Sequence, residues 1–268
     1  MMTGTRLLRK AERFFSNLCA IIRERILSAE LAGAEFVPHI QPICRDDKVV
    51  GGEVLLRVLK KGVLRTPEKY LALMEPAGVI NDVTCSLLAS VREEFEDYRG
   101  TLPDDFYLSF NICAHQLNSP QVIRAVADFN EVFRGRIGVV LEIVERGTLD
   151  LDDFALDAMH QLTEAGVQFA IDDFGSGSAS LKYIEHAGFT TVKIDRCLTV
   201  ISNGSLVYSA VLDSISHLSQ ALGIQIIAEG IETEEQFMLL KRKGIRLFQG
   251  YHFSRPESIA RFVEKYIN

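Results

Sequence analysis

The 268-residue sequence contains no apolar run of the roughly 18 residues that span a bilayer, no excess of basic residues, no C-x-x-C pair and no H-E-x-x-H signature. Each absence removes a class of function. Without an apolar span, no transmembrane segment is expected. A net charge of -7 lacks the basic footprint that a DNA or RNA duplex requires, so duplex nucleic acid is not an expected partner. Five cysteines, Cys19, Cys44, Cys85, Cys113 and Cys197, are odd in number and widely spaced. They signal neither a disulfide framework nor a zinc knuckle, and they suit a reducing, cytoplasmic setting. The six histidines are scattered and read as structural or surface groups. No internal repeat or low-complexity linker is visible.

What is present suits one large domain. A hydrophobic content of 47% over this length supports a sizeable core, and a single α/β barrel of about 250 residues fits. Residues 1–33 read as an N-terminal helical extension, because Leu7, Leu8, Ala11, Phe14, Phe15, Leu18 and Ile22 recur at spacings of three and four. Within it, Met1 to Arg25 carries six Lys or Arg against two acids, which suits packing on the barrel or a partner, or contact with a membrane surface. Ser16 and Asn17 interrupt its apolar run, and Arg23-Glu24-Arg25 follows at once, so it does not read as a secretory signal.

From residue 34 to 268 strand and helix patterns alternate. Strands are expected near 36–41, 49–58, 106–111, 138–143, 167–172, 190–194, 224–228 and 246–249, with helical patterns including 66–76, 82–98, 151–165 and 205–222. Eight mostly apolar strands predict a (β/α)8 TIM-type barrel. Only Asp46-Asp47-Lys48 separates the first two, and a parallel pair needs a crossover of a dozen or more residues, so the first strand should run antiparallel. The expected fold is therefore a modified barrel with an added N-terminal helix.

Six strand-like runs end in a residue able to hold a metal or move a proton: Asn111, Glu142, the pair Asp172 and Asp173, Lys193 with Asp195, Glu229 and Gln249. Glu53 joins them from the second strand. Burying such groups separately costs several kcal/mol for each unpaired charge, whereas the C-terminal end of a barrel gathers them into one site. Glu53, Asn111, Glu142, Asp172, Asp173 and Glu229 are all oxygen donors, which select Mg²⁺ or Mn²⁺ over zinc. Adjacent carboxylates such as Asp172 and Asp173 can bridge two ions, the arrangement used for in-line displacement at phosphorus. An anionic substrate could approach five carboxylates only by way of such cations. Lys193 then suits the attacking water, and Arg57 and Gln249 suit phosphate and base contacts. Singly, each acid could instead cap the next helix, Asp173 could make a turn before Gly175, and Glu232 could be a helix-entry charge.

The ordered stretches Gln41-Pro42-Ile43, Glu53-Val54-Leu55-Leu56-Arg57, Phe110-Asn111-Ile112, Leu141-Glu142-Ile143-Val144-Glu145, Asp172-Asp173-Phe174-Gly175-Ser176-Gly177, Lys193-Ile194-Asp195-Arg196, Ala228-Glu229-Gly230-Ile231-Glu232-Thr233 and Gln249-Gly250-Tyr251 resemble the EAL-domain phosphodiesterases, which hydrolyse the bacterial second messenger cyclic di-GMP. The resemblance runs from about Phe36 to Pro256. It implies that Glu53, Asn111, Glu142 and Asp172 hold one metal, that Asp173 joins Asp172 at a second, and that Lys193 contacts the nucleophilic water. Glu229 would be a ligand or the general base. Gln41, Arg57, Asp195, Glu232 and Gln249 would line the substrate groove, and Glu145 would brace the loop after Asp173, which in this family links metal binding to dimer contacts.

No ligand of the family pattern is lost. Val54 stands where Ala is usual, Ser176 replaces Thr, Ser178 replaces Tyr and His115 replaces Arg. These departures bear on loop conformation and dimer packing more than on metal binding. The resemblance implies hydrolysis of cyclic di-GMP to linear pGpG by two-metal activation of water, in a homodimer. The alternative is a catalytically weak cyclic di-GMP receptor or protein-interaction regulator on the same fold.

Overall fold

The structure, a computed structural model, describes residues 28–75, 77–144, 151–175 and 188–267. Most of the expected N-terminal helix therefore lies outside the described residues. The strands are β1 (Ala34–Arg45), β2 (Lys48–Lys60), β3 (Val63–Arg65), β4 (Tyr107–Cys113), β5 (Gly138–Val144), β6 (Gln168–Phe174), β7 (Phe189–Ile194), β8 (Ile201–Ser202), β9 (Ser205–Leu206), β10 (Gln225–Ala228), β11 (Leu247–Phe248) and β12 (Glu257–Ser258).

Eight of these strands form a closed barrel. From β2 through β4, β5, β6, β7 and β10 to β11, each neighbour is parallel to the last. β1 runs antiparallel to β11, with Cys44 opposite Phe248, and its pairing with β2 completes the ring. The antiparallel first strand follows from the short turn after Arg45, where Asp46 takes a positive φ of 54°.

The chain divides into two compact units. One takes residues 28–37 and Leu56–Val83, with β3 paired on the end of β2 and a cluster of Val58, Tyr70, Met74, Ile80 and Val83. The other takes Pro38–Leu55 and residues 84–267, and it holds the barrel.

Side chains alternate across a strand with a period of two, and here the alternation separates a core from a site. One face carries Leu108, Phe110 and Ile112 of β4, Val139, Leu141 and Ile143 of β5, Phe169 and Ile171 of β6, Val192 and Ile194 of β7, and Phe248 of β11. These pack into the main core with helix residues such as Phe129, Met159, Leu212 and Phe237. The opposite face begins apolar, with Ile43, Ile227 and Leu247 clustered beside Val50 and Tyr107. Moving toward the C-terminal strand ends, that same face reaches Asn111, Glu142, Asp172 and Lys193, then Glu229 and Gln249 just beyond β10 and β11.

The covering helices begin at their own local signals. Asp152 accepts a hydrogen bond from the Ala155 amide at 2.9 Å to start Asp153–Glu164. Thr233 and Gln236 form a capping box for Glu234–Arg242. The helical pattern expected from residue 205 starts later, at Ser209, because β8 and β9 make a small hairpin first. Asn203 and Gly204, with φ of 50° and 72°, supply the Asn-Gly turn that favours such a hairpin.

Close backbone approach occurs at Gly250. A Cβ there would collide with the carbonyl oxygen and amide nitrogen of Ile231, two backbone groups with nowhere to retreat. Gly250→Ala is expected to cost about 1–3 kcal/mol, as overpacking typically does. Chemical denaturation would measure it, and an unchanged midpoint would show that the Ile231 backbone yields freely.

Candidate active site

The Lys193 ammonium sits among four carboxylates at the C-terminal end of the barrel. Its Nζ lies 2.6 Å from Glu142 Oε2, 2.6 Å from Glu229 Oε1, 3.2 Å from Glu53 Oε2 and 3.4 Å from Asp172 Oδ1. Lys193 is only 1% exposed and Glu142 is wholly buried. Strands β2, β5, β6 and β7 and the end of β10 each supply one of these groups, so the cluster exists only when the barrel closes.

Asp172 and Asp173 are sequence neighbours, and a regular strand would send them to opposite faces. A bulge prevents this. Ile171 pairs with Val192 and Phe174 with Ile194, so two aspartates stand opposite the single residue Lys193. Asp173 takes a φ of 52°, a left-handed conformation uncommon outside glycine. Asp172, Asp173 and Glu229 thereby offer carboxylate oxygens within 4.8 Å of one another.

Glu53 is held by amides. Asn111 Nδ2 donates to its Oε1 at 2.7 Å, and Gln249 Nε2 donates to its Oε2 at 2.6 Å. Gln249 Nε2 also reaches Gln41 Oε1 at 3.2 Å, and Gln41 Nε2 donates to the Ser254 carbonyl at 3.1 Å. A carboxylate accepts through four lone pairs, so two donated hydrogen bonds leave it able to bind a cation. Glu142 Oε1 is buried without a hydrogen-bond partner among the described residues, and Asp172 Oδ1 has none beyond its 3.4 Å ion pair with Lys193. Buried acceptors of this kind cost free energy unless something positive meets them, and a hard divalent cation fits the all-oxygen donor set. Five carboxylates, Glu53, Glu142, Asp172, Asp173 and Glu229, thus stand near a single ammonium.

The other expected site residues are placed unequally. Gln41, Glu232 and Gln249 line a pocket of about 250 Å³ with Glu53, Asp172, Lys193 and Glu229. Asp195 caps the short turn Arg196–Leu198 by accepting from the Cys197 amide at 2.9 Å, the capping role open to any strand-end acid. Arg57 belongs to the smaller unit, where its guanidinium donates to the Leu56 carbonyl at 2.8 Å. Glu145, Ser176 and Ser178 lie outside the described residues. Two residues to which no role had been given, Arg196 and Tyr251, also line the pocket. Both stood within the quoted motifs, next to groups with chemistry, and adjacency was the available signal.

Burial sets the protonation pattern. Desolvation pushes the Glu229 carboxyl up to about 8, with Asp172 and Glu53 adding repulsion against the opposing pull of Lys193. It pushes Glu142 well above the ordinary carboxylate range, aided by Glu53. For Glu53, desolvation is outweighed by Lys193 and the amides of Asn111 and Gln249, and its pKa is lowered. Desolvation opposes the charge on Lys193, yet the surrounding carboxylates raise its pKa well above the usual value. A folded carboxyl near 8 and an unfolded one near 4.5 mean that the native state holds the extra proton. In chelator, stability is therefore expected to fall as pH rises from about 4.5 to 8, and Glu229→Gln to flatten that slope. Thermal melts across this range check it; a wild-type curve that rises toward pH 8 would refute the assignment.

Comparison with known proteins places this geometry. A family model described as EAL domain matches residues 24–256. The chain belongs to the EAL domain family. Among curated relatives, the probable cyclic di-GMP phosphodiesterase PdeG of Escherichia coli (strain K12) is 31% identical over 249 residues, covering 91% of this chain and 49% of PdeG. The cyclic di-GMP phosphodiesterase PdeL of the same organism is 29% identical over 252 residues, covering 92% of this chain and 69% of PdeL. This chain thus spans about half the length of PdeG. Among solved structures, the EAL enzyme Bd1971 in its cAMP and cyclic-di-GMP bound form superposes with a TM-score of 0.79 at 29% identity, over 97% of this chain and 72% of that one. The PaMucR phosphodiesterase in complex with c-di-GMP gives 0.73 at 28% identity, over 85% of this chain and 99% of that one. No helix among the described residues of this EAL domain is long and apolar enough to cross a membrane.

Proposed function

We propose that this EAL domain hydrolyses cyclic di-GMP to linear pGpG with two divalent cations, Mg²⁺ or Mn²⁺. The observation that carries the reading is the convergence of four carboxylates on one buried ammonium at the barrel mouth, with a fifth, Asp173, grouped beside Asp172 and Glu229, and with the buried Glu142 Oε1 left without a hydrogen-bond partner among the described residues. The names of PdeG and PdeL and the nucleotide complexes of Bd1971 and PaMucR support the substrate.

Glu53, Asn111, Glu142 and Asp172 would hold one cation, and Asp173 with Asp172 and Glu229 the other. Bound there, such cations supply Lewis-acid stabilisation of charge on the phosphoryl oxygens and make water acidic. Asn111 already turns its amide hydrogens to Glu53, which leaves its carbonyl oxygen as the donor atom. Glu229, 2.6 Å from the Lys193 ammonium, would serve as a ligand of the second cation or as the base that takes the proton from water. Lys193 would orient that water and carry positive charge against the developing negative charge at phosphorus. The water oxygen bonds to phosphorus, the bond to the 3′ oxygen breaks, and that oxygen leaves with a proton. Gln41, Asp195, Glu232 and Gln249 would border the substrate, with Arg57 as a further contact and Glu145 bracing the loop after Asp173. A homodimer completes the reading, and light scattering of the purified protein tests it.

Chromatography of cyclic di-GMP incubated with the protein and Mg²⁺ or Mn²⁺ tests the activity. Conversion to pGpG that stops in chelator is the expected result. Nucleotide binding without turnover in either metal would refute hydrolysis.

A further inference from the structure

The smaller unit contains a cavity of about 590 Å³ with four cations on its walls, Lys60, Lys61, Arg65 and Lys69, against one carboxylate, Glu30. The chain as a whole carries a net charge of -7, so the sign is locally reversed. The ribbon of β2 and β3 builds this reversal. Val58 pairs with Arg65 and Lys60 with Val63, which puts Lys60 and Arg65 on the same face. Lys61 and Gly62 make the two-residue turn between the strands, with φ of 52° and 74°. Such a turn favours Asn-Gly, so a charge is kept where the left-handed backbone suits another residue better. Glu30 is already engaged: its Oε1 accepts from Lys69 Nζ at 2.8 Å, and its carbonyl oxygen accepts from Lys60 Nζ at 2.5 Å. Lys61 and Arg65 form no ion pair among the described residues.

We propose that this cavity binds a phosphate-bearing anion, held by the Arg65 guanidinium and the Lys61 ammonium, with Lys60, Lys69 and the Thr66 hydroxyl as further donors. The planar fork of an arginine matches two phosphate oxygens at once, and a lysine ammonium adds a compact charge for a third. A lone carboxylate offers fewer acceptors to the same set of donors. The volume lies within the roughly 300–1,000 Å³ of small-molecule sites, which is more than a bare phosphate fills. The phosphate is therefore carried on a larger body, a soluble metabolite or a lipid headgroup. The site uses residues of the smaller unit to which no role in hydrolysis is given. It goes beyond the cyclic di-GMP reading and does not depend on it.

Calorimetric titration with tripolyphosphate, on the full chain freed of divalent metal by a chelating resin, tests a soluble source of the phosphate. Sedimentation with phosphatidylcholine vesicles, with and without phosphatidylglycerol, tests a lipid source. Wild type is expected to bind in at least one arm, and less tightly as salt rises. Lys61→Asn combined with Arg65→Gln removes both unpaired charges while the asparagine suits the turn, and should weaken binding roughly tenfold or more. Lys61→Arg combined with Arg65→Lys keeps the charges and should retain binding. Arg99→Gln combined with Arg124→Gln removes two exposed charges from the larger unit and should leave affinity near that of wild type. Wild type that binds neither tripolyphosphate nor the phosphatidylglycerol vesicles would overturn the site. So would undiminished binding by the neutral variant, loss of binding in the charge-keeping variant, or an equal loss from the substitutions in the larger unit.

Discussion

Asp172→Ala is expected to reduce pGpG formation by roughly 10³-fold or more, the scale of losing electrostatic stabilisation in a preorganised site. Asp172 stands where the two groups of prospective cation ligands meet: 3.4 Å from Lys193 on one side, and grouped with Asp173 and Glu229 on the other. On the proposed reading, removing its carboxylate would deprive both cation positions of a shared oxygen. The substitution also leaves Asp173 alone on the bulge. Glu53→Ala should behave similarly, because it removes the carboxylate on which the Asn111 and Gln249 amides converge and leaves those donors without an acceptor. Calorimetric titration with Mn²⁺ beside the turnover assay separates the causes. Weakened metal binding together with lost turnover is the expected pair, and near-normal activity in either variant would refute the ligand assignment.

Lys193→Met is expected to slow turnover by roughly 10²–10³-fold while sparing the barrel, with a signature that distinguishes charge from packing. Methionine fills much of the space of the lysine stem. It cannot, however, offset Glu142 and Glu229, each 2.6 Å from the ammonium. Breaking a buried ion pair by removing one partner costs about 3–5 kcal/mol, because the remaining charges stay desolvated. The melting temperature in chelator should therefore fall, and Mn²⁺ should restore much of it by supplying positive charge at the same carboxylates. A variant that melts like wild type without metal would show that the carboxylates already carry protons, and one that turns over normally would place the water elsewhere.

The expected fold was legible because its signals are short-range. Period-two burial marks the strands, the brief Asp46-Asp47-Lys48 turn forces β1 to run against its neighbours, and polar residues at the ends of apolar runs mark the mouth of the barrel. The expected strand ranges agree with those observed to within a few residues. The hairpin formed by β8 and β9 was missed although Asn203-Gly204 is a local turn signal, since the helical pattern that follows masked it.

The sequence alone determined which residues could meet, because alternation and strand order are properties of the chain itself. Only the tertiary structure decided how they meet. Lys193 lies among the carboxylates it was expected to stand beside, since closure of the barrel brings β2, β5, β6 and β10 around β7. Asp172 and Asp173 converge with Glu229 because a bulge in β6 overrides the alternation that would have parted them. Gln249 and Gln41, expected to contact substrate, spend amide hydrogens on Glu53 and the Ser254 carbonyl, a choice made by neighbours more than 190 residues away in sequence. Contacts across such separations depend on register and on where each strand stops, and no local pattern of residue types encodes either.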